Sequence, residues 1–502
     1  MNFPVFDILA KRAELGPGRV AFEDISSGAQ VSYYELNQHT GRTTALLANL
    51  GVKHGDCVAL LCRNRIEFFE LLFACARLGA ILVPLNWRMP ANELAPLLDD
   101  CGAVLLIHGS EDADTAISLA NNKRKLLSLD DNFSGSRNAF EGLEGRVNWP
   151  ADETWYLLYT SGTTGKPKAV IQTYGMALAN YINIAQAMGL RENDTSLNYL
   201  PLFHTGGINL TTLPALIMGA RTLITPGFDL ECTVDLLETG RLDTFFGVPA
   251  IYQAISLHSR FNELDLSKVR CWGCGGAPMP DKLLQQFAKR GATVLNGMGM
   301  TETGPTIFLM DEANAMHKIG SVGKPQLLAA VRLVDAHGKD VPQGTTGELW
   351  FSGLGITPGY YKRPDATAEA FSEDGWLRSG DLGCQDEDGY YYIVGRLKDM
   401  YISGGENVYA AEVEGLLAGH PGILEAAVIG VPDERWGEVG CAYLLQQPGH
   451  MPPADEELVS FCKQNMATYK VPKYFIRVDD FARTAAGKVQ KHLLPPMTTG
   501  EE

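Results

Sequence analysis

The sequence contains no run of five or more basic residues, and positive charge is scarce overall. Its 59 acidic residues outnumber 42 lysines and arginines, which gives a formal net charge of −17. A surface of that sign repels nucleic acid and anionic membranes, so we expect neither as a partner. A polyanionic small molecule is still allowed, because a local site can be positive on an acidic protein.

Long apolar runs are also missing. The most apolar stretch, residues 71–85, is interrupted by Arg77 and is too short to span a bilayer. Residues 1–10 include Asp7 and lack the basic segment that precedes the apolar core of a signal peptide. We therefore expect no membrane span and a cytoplasmic location.

A cysteine framework is absent as well. The ten cysteines lie scattered in apolar contexts, which is typical of proteins from a reducing compartment. Cys271 and Cys274 form a C-x-x-C pair, but a zinc site needs a second pair or nearby histidines. The pair therefore gives little support for a metal or redox site.

The chain does contain alternating strand and helix patterns over 502 residues, a length that requires more than one folding unit. Ser32 and Glu35 have capping-box spacing, residues 57–62 have the pattern of a buried strand, and residues 66–76 repeat apolar positions at helical spacing. This alternation predicts an α/β fold rich in parallel sheet. Dense turn signals after about residue 330 predict a β-rich section, and a small α+β domain follows from about residue 421.

The strongest chemical signal is the segment Tyr159-Thr160-Ser161-Gly162-Thr163-Thr164-Gly165-Lys166-Pro167-Lys168. Glycines let the backbone turn and present N–H groups, hydroxyls donate to phosphate oxygens, and lysines supply positive charge. The segment therefore predicts a phosphate-binding loop, with a flexible surface turn as the alternative. It is not a Walker A loop, because only two residues separate Gly162 from Gly165 and Pro167 stands where Ser or Thr is needed.

This loop resembles the signature of the adenylate-forming superfamily, which includes acyl-CoA and aryl-CoA synthetases, peptide-synthetase adenylation domains and firefly luciferase. Further motifs follow in the family's order along nearly the whole chain: Pro201-Leu202-Phe203-His204, Gly275-Gly276-Ala277-Pro278, Gly299-Met300-Thr301-Glu302, Ser379-Gly380-Asp381, Gly395-Arg396-Leu397-Lys398-Asp399, Ser403-Gly404-Gly405-Glu406-Asn407 and Arg483-Thr484-Ala485-Ala486-Gly487-Lys488. One such motif is weak evidence, whereas eight in order are specific. The resemblance implies an AMP-forming acyl-CoA synthetase that uses a small-molecule carboxylic acid, ATP, Mg²⁺ and coenzyme A.

The resemblance implies contacts with ATP or AMP along five segments of the chain. They are Thr160, Ser161, Gly162, Thr163, Thr164, Gly165 and Lys166, then Gly275, Gly276 and Ala277, then Asn296, Gly297, Met298 and Gly299, then Asp381, and finally Arg396. Glu302 and Thr160 would hold the metal, and Thr301 a phosphate. Without the family, Glu302 would be assigned as a helix-start residue and Asp381 as the first residue of an Asx turn.

One departure from the family pattern concerns the adenine ring. A tyrosine that stacks on adenine often stands directly before the glycine of Gly299-Met300-Thr301-Glu302 or two residues earlier, but this chain has Met298 before that glycine and Asn296 further back. A methionine can cover the ring as a polarizable surface. Ala482 also replaces a frequent proline before the last motif. Neither change removes a charged group, so we expect activity.

Lys488, Glu302 and Thr301 are the predicted catalytic residues, and Lys488 is the main one. Attack of a carboxylate on the α-phosphate of ATP brings two negative groups together, and a cation between them lowers the barrier. Outside its Arg-Thr-x-x-Gly-Lys context, a lysine at this place would be a solvated charge.

Lys398 occupies the family's hinge position. It divides the chain into an N-terminal domain of residues 1–397 and a mobile C-terminal domain of residues 398–502. Ser403, Gly404 and Gly405 would then lie on the path of coenzyme A. The predicted fold class is α/β, with a large N-terminal α/β domain of several subdomains that includes the β-rich section, and a small mobile α+β domain.

The resemblance also implies an acyl pocket, lined by Phe203, His204, Gly206, Gly207, Phe246, Val248 and Cys274. These residues are mostly apolar and include no lysine or arginine for a second carboxylate, which predicts a monocarboxylic acid. In the family, the histidine lies at the carboxylate end of the pocket and has a gating role. We therefore assign His204 to substrate binding, with a structural histidine as the alternative.

The overall likeness to feruloyl-, coumaroyl- and fatty-acyl-CoA ligases favours a hydroxycinnamate-like aromatic acid, with a fatty acid next. The alternative function is a stand-alone adenylation enzyme that loads a carrier protein. Trp436-Gly437-Glu438 resembles the stand-alone ligases, and the 14 residues after Lys488 leave no room for a fused carrier. A homodimer is compatible with the resemblance.

Overall fold

The structure is a computed structural model that describes residues 3–121, 124–160, 167–277, 279–483 and 489–495. Its α-helices are α1 (Ile8–Leu15), α2 (Tyr33–Asn49), α3 (Ile66–Leu78), α4 (Ala91–Cys101), α5 (Ala113–Ser118), α6 (Ser134–Asn138), α7 (Tyr174–Ala187), α8 (Thr212–Met218), α9 (Leu230–Glu238), α10 (Pro249–Leu257), α11 (Asp281–Lys289), α12 (Pro364–Ala370), α13 (Ala410–Ala418) and α14 (Asp455–Asn465). Among these described helices, none combines the length and apolarity that a membrane span requires.

The strands are β1 (Pro4–Phe6), β2 (Val20–Asp24), β3 (Gln30–Ser32), β4 (Cys57–Leu61), β5 (Ile81–Pro84), β6 (Leu105–His108), β7 (Lys125–Ser128), β8 (Asn148–Pro150), β9 (Thr154–Thr160), β10 (Lys168–Thr173), β11 (Thr195–Asn198), β12 (Arg221–Ile224), β13 (Thr244–Gly247), β14 (Cys271–Cys274), β15 (Val294–Met298), β16 (Phe308–Leu309), β17 (Ser321–Pro325), β18 (Ala329–Val334), β19 (Gly347–Gly353), β20 (Leu377–Gln385), β21 (Tyr391–Arg396), β22 (Met400–Ser403), β23 (Glu406–Tyr409), β24 (Ile423–Asp433), β25 (Gly437–Gln446) and β26 (Tyr474–Val478). β1 and β8 form a small sheet of their own.

A six-stranded sheet with the order β10-β9-β5-β4-β6-β7 occupies the first part of the chain. Its strands run parallel except β10, which is antiparallel to β9. β4 is buried along its whole length and is an unbroken apolar run, as expected for a parallel strand covered on both faces. The predicted phosphate loop connects β9 to β10, so both flanks of the loop are fixed by this sheet.

A 13-stranded sheet has the order β18-β19-β20-β21-β17-β16-β15-β14-β13-β11-β12-β2-β3. The run from β2 to β15 pairs in parallel, and the run from β15 to β18 pairs antiparallel. The change takes place at β15. Because the carboxyl ends of parallel strands lie at one edge, the segments after β13, β14 and β15 meet there, where open α/β sheets bind ligands.

The C-terminal part forms a five-stranded sheet in which β23-β22-β25-β24 are neighbours and β26 pairs with β25. α13 and α14 cover it, and the core between them contains Val408, Val413, Val428 and Leu458. The chain changes sheet between the end of β21 and the start of β22. The predicted domain boundary at residue 398 falls in this connection.

The predicted fold class agrees with this architecture: alternating α/β elements, a β-rich section after β15 and a small α+β unit. Local signals also agree. Ser32 Oγ accepts a hydrogen bond from the backbone of Glu35, and the Glu35 carboxylate accepts one from the backbone of Ser32 at 2.8 Å, which completes the capping box of α2. α3 ends at Leu78, and the φ of 74° at the following Gly79 is the left-handed conformation of a helix C-cap.

Candidate active site

The flanks of the predicted phosphate loop are ordered by strand pairing. Thr160 ends β9 opposite Lys168, which begins β10, and the Thr160 hydroxyl lies 3.4 Å from the Lys168 carbonyl oxygen. Residues 161–166, from Ser161 to Lys166, lie outside the described residues. Their phosphate-binding role stays a prediction.

Lys168, Tyr360 and Glu302 form a chain of contacts beside this loop. The Lys168 ammonium lies 5.2 Å from the centre of the Tyr360 ring, and the Tyr360 hydroxyl donates to Glu302 Oε1 at 2.9 Å. Burial, and then the negative charge of Glu302, raise the pKa of Tyr360, so the phenol keeps the proton that it donates. The structure thus brings Glu302 to the flank of the phosphate loop through a residue that the sequence analysis did not select.

The turn that carries Thr301 and Glu302 is held through its backbone. Residues Thr301–Thr303 form a 3₁₀ turn, and the buried amide of Gln172 donates to the Thr301 carbonyl at 3.0 Å. The Thr357 backbone N–H donates to the Glu302 carbonyl at 2.8 Å. Gln172 and Thr357 carry no local sequence signal, because only the packing of distant segments brings them to this turn.

Glu302 is 7% exposed, and the described residues contain no group of three or more His, Cys, Asp or Glu side chains that could hold a metal by themselves. A single carboxylate is what Mg²⁺ needs when it arrives with a nucleotide, since phosphate oxygens and water complete its octahedron. The donor set therefore fits Mg²⁺ carried by ATP. It does not fit a metal site built from protein ligands alone.

Asp381 and Arg396 lie opposite each other on β20 and β21. Asp381 is 4% exposed, its Oδ1 lies 2.8 Å from Arg396 Nε, and its backbone N–H donates to the Ser379 hydroxyl at 2.9 Å. A cavity of about 300 Å³ adjoins this pair and is lined by Ser379, Gly380, Arg396, Leu397 and Lys398. Asp381 and Arg396, both predicted to contact ATP or AMP, are therefore brought together next to the predicted hinge.

The predicted adenine wall lies at the ends of β14 and β15. Cys274 pairs with Asn296, so Gly275 and Gly276 follow one strand where Gly297 and Met298 end the other. The Asn296 amide donates to the Ser321 carbonyl at 3.1 Å. Met298 is partly buried against the cluster that contains Phe308 and Phe351. Ala277 and Gly299 extend the same two segments, and Pro278 is outside the described residues.

Two buried asparagines hold the loop that contains His204, Gly206 and Gly207. Asn64 donates to Asn198 Oδ1 at 2.7 Å, and Asn198 donates to the Gly207 carbonyl at 2.9 Å. A Cβ on Gly207 would lie 2.4 Å from two carbonyl oxygens, those of residues 200 and 201, so only glycine fits there. Gly206 begins a short π-helical turn, Gly206–Leu210. The loop conformation thus depends on residues that precede it by up to 143 positions, from Asn64 to Gly207.

Phe203 and His204 lie side by side, with ring centres 4.7 Å apart. Phe203 also meets Trp87 edge-on at 6.1 Å, and the Arg63 guanidinium lies 3.4 Å from the Trp87 ring centre. The predicted pair is therefore part of a larger aromatic group, and nothing in the local sequence around Trp87 pointed to it.

Phe246 and Cys274 lie on opposite faces of the large sheet. Phe246 pairs with Gly273, and a Cβ on Gly273 would lie 2.5 Å from the Phe246 ring. Cys274, one residue later, belongs to the cluster on the other face, with Phe245 and Trp272. The strand period of two explains the separation. The structure therefore does not bring these two predicted pocket residues together, although Val248 lies 3.4 Å from the Cβ position of Gly276.

Lys398 lies in a 3₁₀ turn, Leu397–Asp399, between β21 and β22. Ser403 is buried at the end of β22, and Gly404 and Gly405 form the two-residue turn to β23 with φ of 61° and 87°. The Gly404 N–H donates to the Trp436 carbonyl at 2.8 Å. The predicted coenzyme A segment thus lies against the motif that begins at Trp436.

Lys488 lies outside the described residues, so its catalytic role stays a prediction. Residues that flank its segment are described. Arg483 pairs with Val489 in an isolated bridge, and the Arg483 guanidinium contacts the Glu425 carboxylate. Cys271 and Cys274 are both free thiols, and they lie on opposite faces of β14 in different clusters, so the C-x-x-C pair cannot share one metal.

Comparison with known proteins gives the same assignment along the chain. The sequence pattern of the AMP-binding enzyme family matches residues 9–361, and that of the AMP-binding enzyme C-terminal domain matches residues 412–488. The chain is 40% identical over 481 residues to a feruloyl-CoA synthase from Amycolatopsis sp, which covers 96% of each chain. It is 35% identical over 496 residues to a long-chain-fatty-acid–CoA ligase from Mycobacterium tuberculosis, which covers 97% of each.

Among solved structures, the chain is similar to the o-succinylbenzoate CoA synthetase of Bacillus subtilis in complex with its acyl-adenylate intermediate. The TM-score is 0.89 with 31% sequence identity, and the match covers 100% of both chains. Two family patterns in order, relatives aligned from end to end and a shared fold all lead to one conclusion. The chain belongs to the AMP-binding enzyme family and is an acyl-CoA ligase of the AMP-forming class.

Proposed function

We propose that this enzyme joins a monocarboxylic acid to ATP, releases pyrophosphate, and passes the acyl group of the resulting adenylate to coenzyme A with release of AMP. The contact chain from Lys168 through Tyr360 to Glu302 carries this proposal. It puts the buried Glu302 carboxylate beside the predicted phosphate loop. The carboxylate and the phosphates of ATP are both negative, so they need a cation between them. Mg²⁺ bound with ATP meets that need.

Each group of residues has a defined task in this proposal. Glu302 and Thr160 hold the metal, which neutralises phosphate charge when bound. Thr301 and the hydroxyls of the loop donate to phosphate oxygens, and Asp381 accepts from the ribose hydroxyls. Lys488 supplies the positive charge between the attacking carboxylate and the α-phosphate.

The acid that we propose is a hydroxycinnamate-like aromatic acid, with a fatty acid next. The side of β13 and β14 that carries Phe246 has main chain at Gly273 and Gly275, and the Phe246 ring lies directly against both glycines. The face of the Phe246 ring that points away from the two glycines suits a planar acyl body. The 40% identity to a feruloyl-CoA synthase, against 35% to a long-chain-fatty-acid–CoA ligase, supports the same order.

The decisive experiment measures AMP release with a panel of benzoates, cinnamates and fatty acids, each with coenzyme A and no other protein. We expect AMP, not ADP, and the highest kcat/KM with a hydroxycinnamate. Release of ADP would reject the reaction class, and a preference for octanoate would reject the aromatic acid. An enzyme that forms adenylate but gives thioester only after a carrier protein is added would be a carrier-loading enzyme.

The cytoplasmic location and the homodimer stay predictions. Cell fractionation and light scattering of the purified protein would test them.

A further inference from the structure

We propose that Tyr360 is a positioning residue that orients the Glu302 carboxylate for metal-bound ATP. This inference rests on the proposed function, since it assumes that Glu302 meets the metal. The Tyr360 hydroxyl donates to Glu302 Oε1 at 2.9 Å. This hydrogen bond holds one carboxylate oxygen and restrains the orientation of the carboxylate plane.

Tyr360 is suited to this task because its own backbone is held on several sides. Its N–H donates to the Thr367 hydroxyl at 3.0 Å, the Ile171 N–H donates to the Gly359 carbonyl at 3.1 Å, and the Tyr361 N–H donates to the Ala169 carbonyl at 2.9 Å. The Tyr360 ring therefore has a fixed position relative to β10. Because β10 begins at the end of the phosphate loop, Tyr360 sets the distance between that loop and Glu302.

The side chain and the backbone of Glu302 are held by different residues. Gln172 and Thr357 bind the carbonyl groups of Thr301 and Glu302, whereas Tyr360 binds the carboxylate. Removing only the Tyr360 hydroxyl should therefore remove one restraint on the carboxylate and leave the turn in place. The Lys168 ammonium over the ring face attracts the ring electrostatically and helps to hold it.

The neighbouring tyrosine offers a matched control. Tyr361 is also partly buried, but its hydroxyl meets Cys57 Sγ at 3.9 Å and not Glu302. Tyr360→Phe and Tyr361→Phe each remove one hydroxyl from adjacent positions. Only Tyr360→Phe should weaken the binding of nucleotide in the presence of Mg²⁺.

The test is calorimetric binding of α,β-methylene ATP, which cannot turn over, in Mg²⁺ and in EDTA. The quantity of interest is the ratio of the Kd in EDTA to the Kd in Mg²⁺, which measures how much the metal strengthens binding. We expect Tyr360→Phe to reduce this ratio about tenfold by weakening binding in Mg²⁺ alone, as loss of a hydrogen bond to a charged group predicts. Tyr361→Phe should keep the wild-type ratio. The double variant with Glu302→Gln should match Glu302→Gln alone, because Tyr360 acts through Glu302.

The other outcomes have separate meanings. If Tyr360→Phe weakens binding equally in Mg²⁺ and EDTA, or lowers the midpoint of thermal unfolding without changing the ratio, Tyr360 is a structural residue and the inference is wrong. If Glu302→Gln lowers the ratio to one and Tyr360→Phe keeps the wild-type ratio, the metal proposal stands and the positioning role is wrong. If this ratio is one in the wild-type enzyme, Mg²⁺ does not strengthen binding. The metal role of Glu302 then fails, and this inference fails with it.

Discussion

Arg396 Nε lies 2.8 Å from Asp381 Oδ1, so the carboxylate predicted to bind ribose already has a cation at its side. The two residues are paired across β20 and β21, which fixes their spacing through the backbone. A ribose bound here would share Asp381 with Arg396. The guanidinium would limit the orientation of the carboxylate.

We predict from this pair that Asp381→Asn loses recognition of the ribose hydroxyls. The wild-type enzyme should prefer ATP to 2′,3′-dideoxy-ATP, and the variant should lose at least about tenfold of that preference in kcat/KM, since an amide replaces a charged acceptor. Asp386→Asn is the control, because Asp386 follows the end of β20 and pairs with Lys318. Unchanged discrimination in Asp381→Asn would remove Asp381 from the ribose site.

Gly207→Ala should disturb the acid and spare the nucleotide. The new Cβ would meet two carbonyl oxygens at 2.4 Å, whereas at Gly206 the nearest atom is the flexible Leu210 side chain at 3.4 Å. We therefore expect Gly207→Ala to raise the KM for the acid and to lower the free energy of unfolding by about 1–3 kcal/mol. Gly206→Ala should be close to wild type in its free energy of unfolding, because the added Cβ meets only flexible side chains. If both substitutions lower the free energy of unfolding equally, the close contacts at Gly207 do not determine the conformation of the loop.

Phe246→Leu should enlarge the acyl pocket. Phe246→Ala would cost about 3–5 kcal/mol of stability, so leucine is the better probe. We expect the ratio of kcat/KM for a ring-substituted cinnamate over unsubstituted cinnamate to rise about tenfold, within the range that pocket shape supplies. Phe245→Leu on the opposite face should leave that ratio unchanged. If both variants change the ratio alike, Phe246 does not line the pocket.

Lys488→Ala should separate the two half-reactions. In the proposed mechanism the lysine neutralises charge at the α-phosphate, and that charge matters only while ATP reacts. The variant should form little adenylate from ATP and acid, and should convert supplied acyl-adenylate to thioester at close to the wild-type rate. Loss of both half-reactions in a folded protein would contradict this division.

Lys398→Pro should give the reverse pattern. In the proposed mechanism, coenzyme A must reach the same carbonyl beside which Lys488 acts in the first step, so we expect the C-terminal domain to turn about residue 398. Proline fixes φ and should hinder that turn. Pyrophosphate exchange should remain while thioester formation falls. Equal loss in both assays would locate the hinge elsewhere.

The sequence was sufficient for features that depend on neighbouring residues. The capping box of Ser32 and Glu35 needs only local chemistry and was predicted correctly. Asp381 and Arg396 were assigned to one nucleotide by resemblance, and strand pairing joins them.

Contacts made by packing were not predictable in this way. Tyr360 lies 58 positions from Glu302 and meets it only because its segment runs beside β10. Gln172 reaches Thr301 from 129 positions away. Phe246 and Cys274 were assigned to one pocket, but the alternation of side chains along strands directs them to opposite faces, and the pairing partner that decides this is not visible in either segment.

The glycines beneath Phe246 have a consequence for how such an enzyme can diversify. Main chain at Gly273 and Gly275 leaves no side chain to vary on that wall, and any substitution at Gly273 would collide with the ring at 2.5 Å. Under the proposed pocket assignment, mutations that change the acid preference are therefore confined to Phe246 itself and the few side chains around it. A gene duplicate that changes its acid preference at this position must therefore also keep the contact of residue 246 with Gly275, which belongs to the predicted nucleotide site.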